Sequence, residues 1–280
     1  MFHICFDSPL IFRKNMYFNY EEIDFKLIKG TKKYQDILCC ITDVESSSGP
    51  SEREARRVQE IALRFLSCLS WELNIGITPS TSYGSGGWSK ERGGLSRVKR
   101  CTLIPRSFRT RRVKDIVKLP KIDDKYKANA LSLFREAKAT NSLYYKFLCY
   151  WKILEVYNTY RKEKGIHTPE TSVEWINHCI DENKWILERA HFNEQLSKKK
   201  TIGKYLEDEC RTAIAHVMAK YKLAPDSGEG MSKIYTATII IEELARIFIQ
   251  QELGLKFKRD QSDNYFFLQK IRRKSIPIFK

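Results

Sequence analysis

The sequence predicts an α+β fold: a small N-terminal α+β domain over residues 1–122, an all-α bundle of about five helices over 123–254, and a basic C-terminal segment over 255–280. Two observations predict it. In the first 45 residues apolar side chains alternate with polar ones or gather in short runs, as strands require. From about residue 123 they recur at three- and four-residue spacing between short polar joints. The chain has 280 residues, 42% of them hydrophobic and 12% aromatic, enough apolar surface for a sizeable core and too much for a disordered chain. With 30% charged residues, a mean hydropathy of −0.46 and no apolar run long enough to span a bilayer, it does not read as an integral membrane protein. The opening MFHICFDSPLIF carries Asp7 and Pro9 inside its apolar run and no basic lead-in, unlike a secretory signal, so a cytoplasmic location is expected.

The elements follow in order. EEIDFKLIKG alternates Ile23, Phe25 and Leu27 with polar neighbours, and YQDILCCITDV is a short apolar run, both strand patterns. A helix is expected over 52–74, opened by a capping box of Ser51 and Glu54 and striped by Ala55, Val58, Ala62, Phe65 and Leu69. The glycines and serines of 76–96 predict a basic, flexible loop, and SRVKRCTLIP predicts a further strand. Within that loop YGSGGWS has the glycine-serine opening of nucleotidyltransferases. It lacks the acidic metal ligands that chemistry needs, since no aspartate lies between Asp43 and Asp115. Beyond residue 123, Tyr126 to Ala137 mark one helix. A second, over 143–163, is apolar almost all round and so central, and Gly165 ends it. Thr168 and Pro169 predict the start of a third helix, broken near Asn183; a fourth is expected over 201–220 and a fifth over 232–253, all in an antiparallel bundle.

The net charge of +16 is concentrated. Residues 89–121 hold twelve basic side chains against Glu91 and Asp115, and residues 256–280 hold eight against two. Positive charge gathered in this way is the footprint of a polyanion partner. RNA contacts are therefore expected at Arg97, Lys99, Arg100, Arg106, Arg109, Arg111 and Arg112, and at the joint Lys198, Lys199 and Lys200. The eight cysteines contain no C-x-x-C pair and no histidine at zinc-ligand spacing, so they read as reduced, mostly buried thiols. No metal and no cofactor is expected. His3, His178 and His191 lack partners at ligand spacing, and Tyr144, Tyr145, Tyr150 and Trp151 fall at the spacing of core residues.

The fourth helix contains CRTAIAHV, in which Arg211 and His216 form an R-x4-H pair. Leu206, Cys210, Ala213, Ile214 and Val217 share its buried face, while Asp208, Arg211, Thr212 and His216 occupy the rest. Asp208, three residues before Arg211, is expected to orient it. A second Arg/His pair, Arg161 and His167, straddles Gly165 and lacks a helical setting. The run RTAIAH resembles the HEPN superfamily, helical-bundle proteins whose R-x(4 to 6)-H motif cleaves RNA without metal in the catalytic members. Thr212 stands where that family most often has Asn or Asp. Upstream, SLFREAKATNSLYYKFLCYWKILEVY resembles a group of bacterial proteins named for methylamine-utilisation accessory proteins. Together the resemblances cover about residues 124–254.

The HEPN resemblance implies an endoribonuclease with Arg211 and His216 catalytic and Asp208 and Thr212 supporting. It implies a homodimer with the fourth helices facing each other and a role in antiphage defence or as a toxin, with room for an inhibitory or activating protein partner. The residue types suit the chemistry: an imidazole can take a proton from a ribose 2'-OH near neutral pH, and a guanidinium can hold the phosphate. The alternative is a non-catalytic RNA- or nucleotide-binding adaptor.

Overall fold

The computed structural model describes residues 2–7, 10–12, 14–29, 36–41, 52–85, 111–113, 119, 122, 124–165, 171–192, 200–215 and 228–256. The expected strand at 96–105, the Ser51 cap and the chain beyond residue 256 lie outside them.

Seven strands are described: β1 (Phe2–Asp7), β2 (Leu10–Phe12), β3 (Met16–Tyr20), β4 (Ile23–Ile28), β5 (Asp36–Ile41), β6 (Thr78–Ser85) and β7 (Arg111–Val113). Five form one antiparallel sheet in the order β3-β4-β5-β1-β6, and β2 pairs in parallel with β7. Helix α1 (Glu52–Leu73) carries the chain from β5 across to β6 on the far side of β1, a split β-α-β unit. The expected periodicity holds: Val58, Ala62, Phe65 and Leu69 are buried, and Phe65 stacks on Phe18 and meets Tyr20 edge-on. The β3–β4 hairpin turns through Glu21 and Glu22, both left-handed at φ 48° and 65°, as a two-residue hairpin requires, though without glycine. Arg64 of α1 holds the Glu21 carboxylate at 2.9 Å and donates to the Ile122 carbonyl at 3.3 Å, tying hairpin, α1 and the following link together.

Part of the expected loop is a strand. Thr78–Ser85 pairs with β1 as the sheet's edge, with a register shift between Ile4 and Phe6. Ladder hydrogen bonds satisfy a backbone whose composition alone favours turns, and an edge position with a bulge tolerates glycine.

The helical part begins with α2 (Lys125–Ala139), capped by Asp124, and α3 (Leu143–Glu163), capped by Ser142. These are followed by α4 (Ser172–Glu182), α5 (Trp185–Arg189) and α6 (Ile202–Tyr205). A π-helical turn, π1 (Leu206–Arg211), then leads into α7 (Thr212–Ala215), and α8 (Gly228–Gln251) follows after residues outside those described. As its composition predicts, α3 is central, with Phe147, Tyr150, Ile153, Leu154 and Tyr157 buried between α2 and α8. Tyr126 meets Tyr160 and Phe134 meets Tyr150, so α2 and α3 run antiparallel. Tyr157 meets Phe248, and the Tyr160 hydroxyl donates to the Glu252 carbonyl, so α3 and α8 run in the same direction. The bundle is therefore mixed rather than wholly antiparallel, because the α4-to-α7 excursion intervenes between two neighbouring helices.

Three helix boundaries depart from expectation. Helix α4 is capped by Thr171, which forms a reciprocal box with Glu174, and not by Thr168. Helix α8 starts at Gly228, earlier than predicted. The fourth helix is interrupted by π1, where the Thr212 N–H bonds to the Glu207 carbonyl. The break at Asn183 occurs as expected.

The two parts share one continuous buried cluster. Trp71 of α1 packs edge-on against Phe134 of α2, and the Arg135 guanidinium donates to the Leu63 carbonyl. Gly76 passes so close to the end of α2 that a Cβ there would lie 2.4 Å from the Lys138 carbonyl oxygen. Cys68, Cys149, Cys179 and Cys210 are buried thiols outside any disulfide, and burial pushes the Cys68 thiol up to about 11. Among the described residues no helix is long and apolar enough to cross a membrane.

Candidate functional site

The segment carrying Arg211 is anchored before it reaches the arginine. Thr201 caps α6, and Asn177 of α4 joins both sides of that cap. Its amide nitrogen donates to the Thr201 hydroxyl at 3.1 Å and its amide oxygen accepts from the Gly203 N–H at 2.8 Å. Gly203 is needed there, since a Cβ would meet the Val173 carbonyl oxygen at 2.6 Å. Glu209 fixes the next turn, accepting from Lys233 of α8 at 2.7 Å and from Lys200. Burial would raise its carboxyl, but the two ammonium groups outweigh that and hold it below the usual range. Leu206 and Cys210 are fully buried beneath, so π1 is held by cap, ion pairs and core together.

Arg211 closes the π turn and points across to α3. Its Nη2 donates to Glu155 Oε1 at 3.3 Å, and the same oxygen accepts the indole N–H of Trp151 at 3.0 Å, one helical turn earlier on α3. The Trp151 ring is buried, while Arg211 and Glu155 keep 37% and 46% of their side chains exposed, so the pair faces solvent over a rigid floor. Asp208, expected to orient Arg211, instead pairs with Lys204 at 3.1 Å, and Lys204 also bonds Glu207. The reason lies in the π turn: widening the helix here takes residues three apart off a common face, so the carboxylate within the segment turns towards Lys204. Thr212 begins α7 and is partly buried; Ala213 is buried and Ala215 exposed. His216 lies outside the described residues.

Of the expected RNA contacts, Arg97, Lys99, Arg100, Arg106, Arg109, Lys198 and Lys199 also lie outside the described residues. Arg111 and Arg112 fall in β7, in register with Leu10 and Ile11. Lys200 is engaged by Glu209. Glu155 was not singled out by sequence reasoning. Its signal was present: it is the one acidic residue in the apolar run from Leu143 to Arg161, and it follows a tryptophan by four. Among the described residues no group of three or more His, Cys, Asp or Glu side chains could hold a metal ion.

This site lies in a helical bundle within an α+β chain, and the bundle is the part with a known counterpart. Residues 130–250, from α2 to the end of α8, match the family described as methylamine utilization protein MauJ. The match takes in Trp151, Glu155 and Arg211 and leaves out the sheet and α1. No curated protein and no solved structure matches the chain significantly.

Proposed function

We propose that the chain is an endoribonuclease of HEPN type, acting through Arg211 and His216. The observation that carries this reading is a solvent-facing arginine on a rigidly anchored helical segment, in R-x4-H spacing with a histidine. In this reading the His216 imidazole takes the proton of a ribose 2'-OH. The oxygen attacks the adjacent phosphorus, and the bond to the 5'-oxygen of the next nucleotide breaks. The products are a 2',3'-cyclic phosphate and, once the leaving oxygen gains a proton, a 5'-OH. The Arg211 guanidinium lies against the phosphate oxygens and offsets their developing charge. Residues five apart on a straight α-helix lie about 140° apart around its axis, so a homodimer, with the Arg211 segments of two copies facing each other, supplies a composite cleft. The basic stretch 89–121 adds sequence-independent phosphate contacts, and RNA clearance during phage infection or as a toxin is the setting the reading suits.

The test is to incubate purified protein with end-labelled RNA in the presence of a chelator. Cleavage leaving 2',3'-cyclic phosphate ends, abolished by Arg211→Ala and by His216→Ala, is expected. Binding without cleavage would replace the enzyme with the adaptor, and strict dependence on added magnesium or manganese would overturn the mechanism.

A further inference from the structure

We propose that Glu155 is a positioning residue for Arg211, holding its guanidinium in place for the phosphate; this rests on the ribonuclease reading. The pair differs from an ordinary surface salt bridge in how the carboxylate is held. Trp151 is 4% exposed, and its indole N–H bonds the same Oε1 that receives Arg211. The carboxylate rotamer is thus fixed by a buried donor on its own helix, and Arg211 docks on a target that is already in place. The neighbouring acids are committed elsewhere: Asp208 and Glu207 to Lys204, and Glu209 to Lys200 and Lys233.

The fold therefore selects, for an arginine on π1, a carboxylate 56 residues away in sequence on α3. Arg211 presents five N–H donors and spends one on Glu155, so an edge of the planar guanidinium is left for a phosphate. When Arg211 engages RNA, the indole bond keeps Glu155 where it stands, and the guanidinium swings about a fixed point rather than a free one. The carboxylate also repels the phosphodiester. Glu155 accordingly weakens ground-state binding while ordering the group that acts in the transition state, and the two effects separate in kinetics.

The experiment has two arms. In RNA-free protein, the Trp151 indole N–H resonance, assigned by its loss in Trp151→Phe, should move on Glu155→Gln and also on Arg211→Lys. A resonance indifferent to Arg211→Lys overturns the coupling whether or not the protein cleaves RNA. In the second arm, Glu155→Gln should lower kcat roughly tenfold with KM unchanged or reduced, and Glu155→Ala, which also frees the indole, should lower kcat further, up to about a hundredfold. In an Arg211→Lys background Glu155→Gln should have little further effect, as expected of residues acting as a unit. A wild-type kcat in Glu155→Ala, or a raised KM with kcat unchanged, overturns the proposal. Wild-type protein that cleaves no RNA overturns the ribonuclease reading and catalytic positioning with it, while the first arm still reports whether the three side chains are coupled.

Discussion

Two sets of ion pairs in this molecule use the same side chains to opposite ends. At the junction of α1, α2 and α8, Arg246 is 3% exposed; its Nη2 donates to Asn74 Oδ1 and Glu242 Oε1, each at 2.6 Å, and its guanidinium covers the Phe134 ring. Lys138 adds a second cation to Glu242 at 3.1 Å, and the buried Glu243 takes Arg189 at 2.8 Å. Around π1, Arg211 with Glu155 and Lys204 with Asp208 form pairs of similar length in contact with water. The difference is the medium. Buried charges cannot change partner without exposing an uncompensated charge to a low dielectric, so they fix α8 to α2, to α5 and, through Asn74, to the end of α1. Charges in water exchange partners at little cost, so those at π1 can be given to a ligand.

The comparison predicts its own largest effect. Arg246→Ala takes one of its two cations from Glu242, the donor from Asn74 and the cover from the Phe134 ring, and should cost about 3–5 kcal/mol of stability, whereas Arg211→Ala should cost about 1 kcal/mol or less. Chemical denaturation of both variants checks this, and equal losses would erase the distinction. Next in size is Gly76→Ala at the same junction. The new methyl would meet backbone, 2.4 Å from the Lys138 oxygen and 2.8 Å from the Ala139 Cα, which cannot rotate away as a side chain could. A loss of about 2–3 kcal/mol is expected, read from the same denaturation curves.

Acid should act on the junction first. Burial pushes the Glu242 carboxyl up, but Lys138 and Arg246 outweigh it and hold the group well below the usual carboxylate range. A carboxyl depressed in the folded state contributes stability that is complete above its unfolded pKa, near 4.3 for glutamate, and is lost as pH falls from there through the folded value. Glu242→Gln should therefore lower stability at neutral pH and flatten its decline below about pH 4. Melting temperatures measured from pH 7 down to pH 3 would show it; parallel curves for variant and wild type would mean that Glu242 carries no such linkage.

What the sequence made legible divides along the same line. Helix α3 announced its central place because nearly every face is apolar, and α1 announced itself by its stripe. Both are local patterns. Strand β6 was hidden because its glycines and serines favour turns, and only pairing with β1, more than seventy residues away, gives its backbone a partner. The π turn was hidden for a related reason: Asn177, Lys200 and Lys233 hold it from other segments, and no periodicity in LEDECR records them. Arg211 itself was singled out by its spacing to His216. Its partner was not, because a three-residue separation on an α-helix nominated Asp208, and the π turn cancels that geometry.

The smallest expected effect separates these two carboxylates. Asp208→Asn removes a partly exposed charge whose partner, Lys204, keeps Glu207 at 2.8 Å. Stability should change by about 0.5 kcal/mol or less, and RNA cleavage should stay within about twofold of wild type. The expectation follows from placement alone, because Asp208 lies closer to Arg211 in sequence than Glu155 does and carries the same charge. Initial rates and melting temperatures for Asp208→Asn, set beside those for Glu155→Gln, make the comparison direct. If Asp208→Asn were as inactive as Arg211→Ala, the carboxylate serving Arg211 would belong to its own helical segment, and the bond across to α3 would be an incidental surface pair.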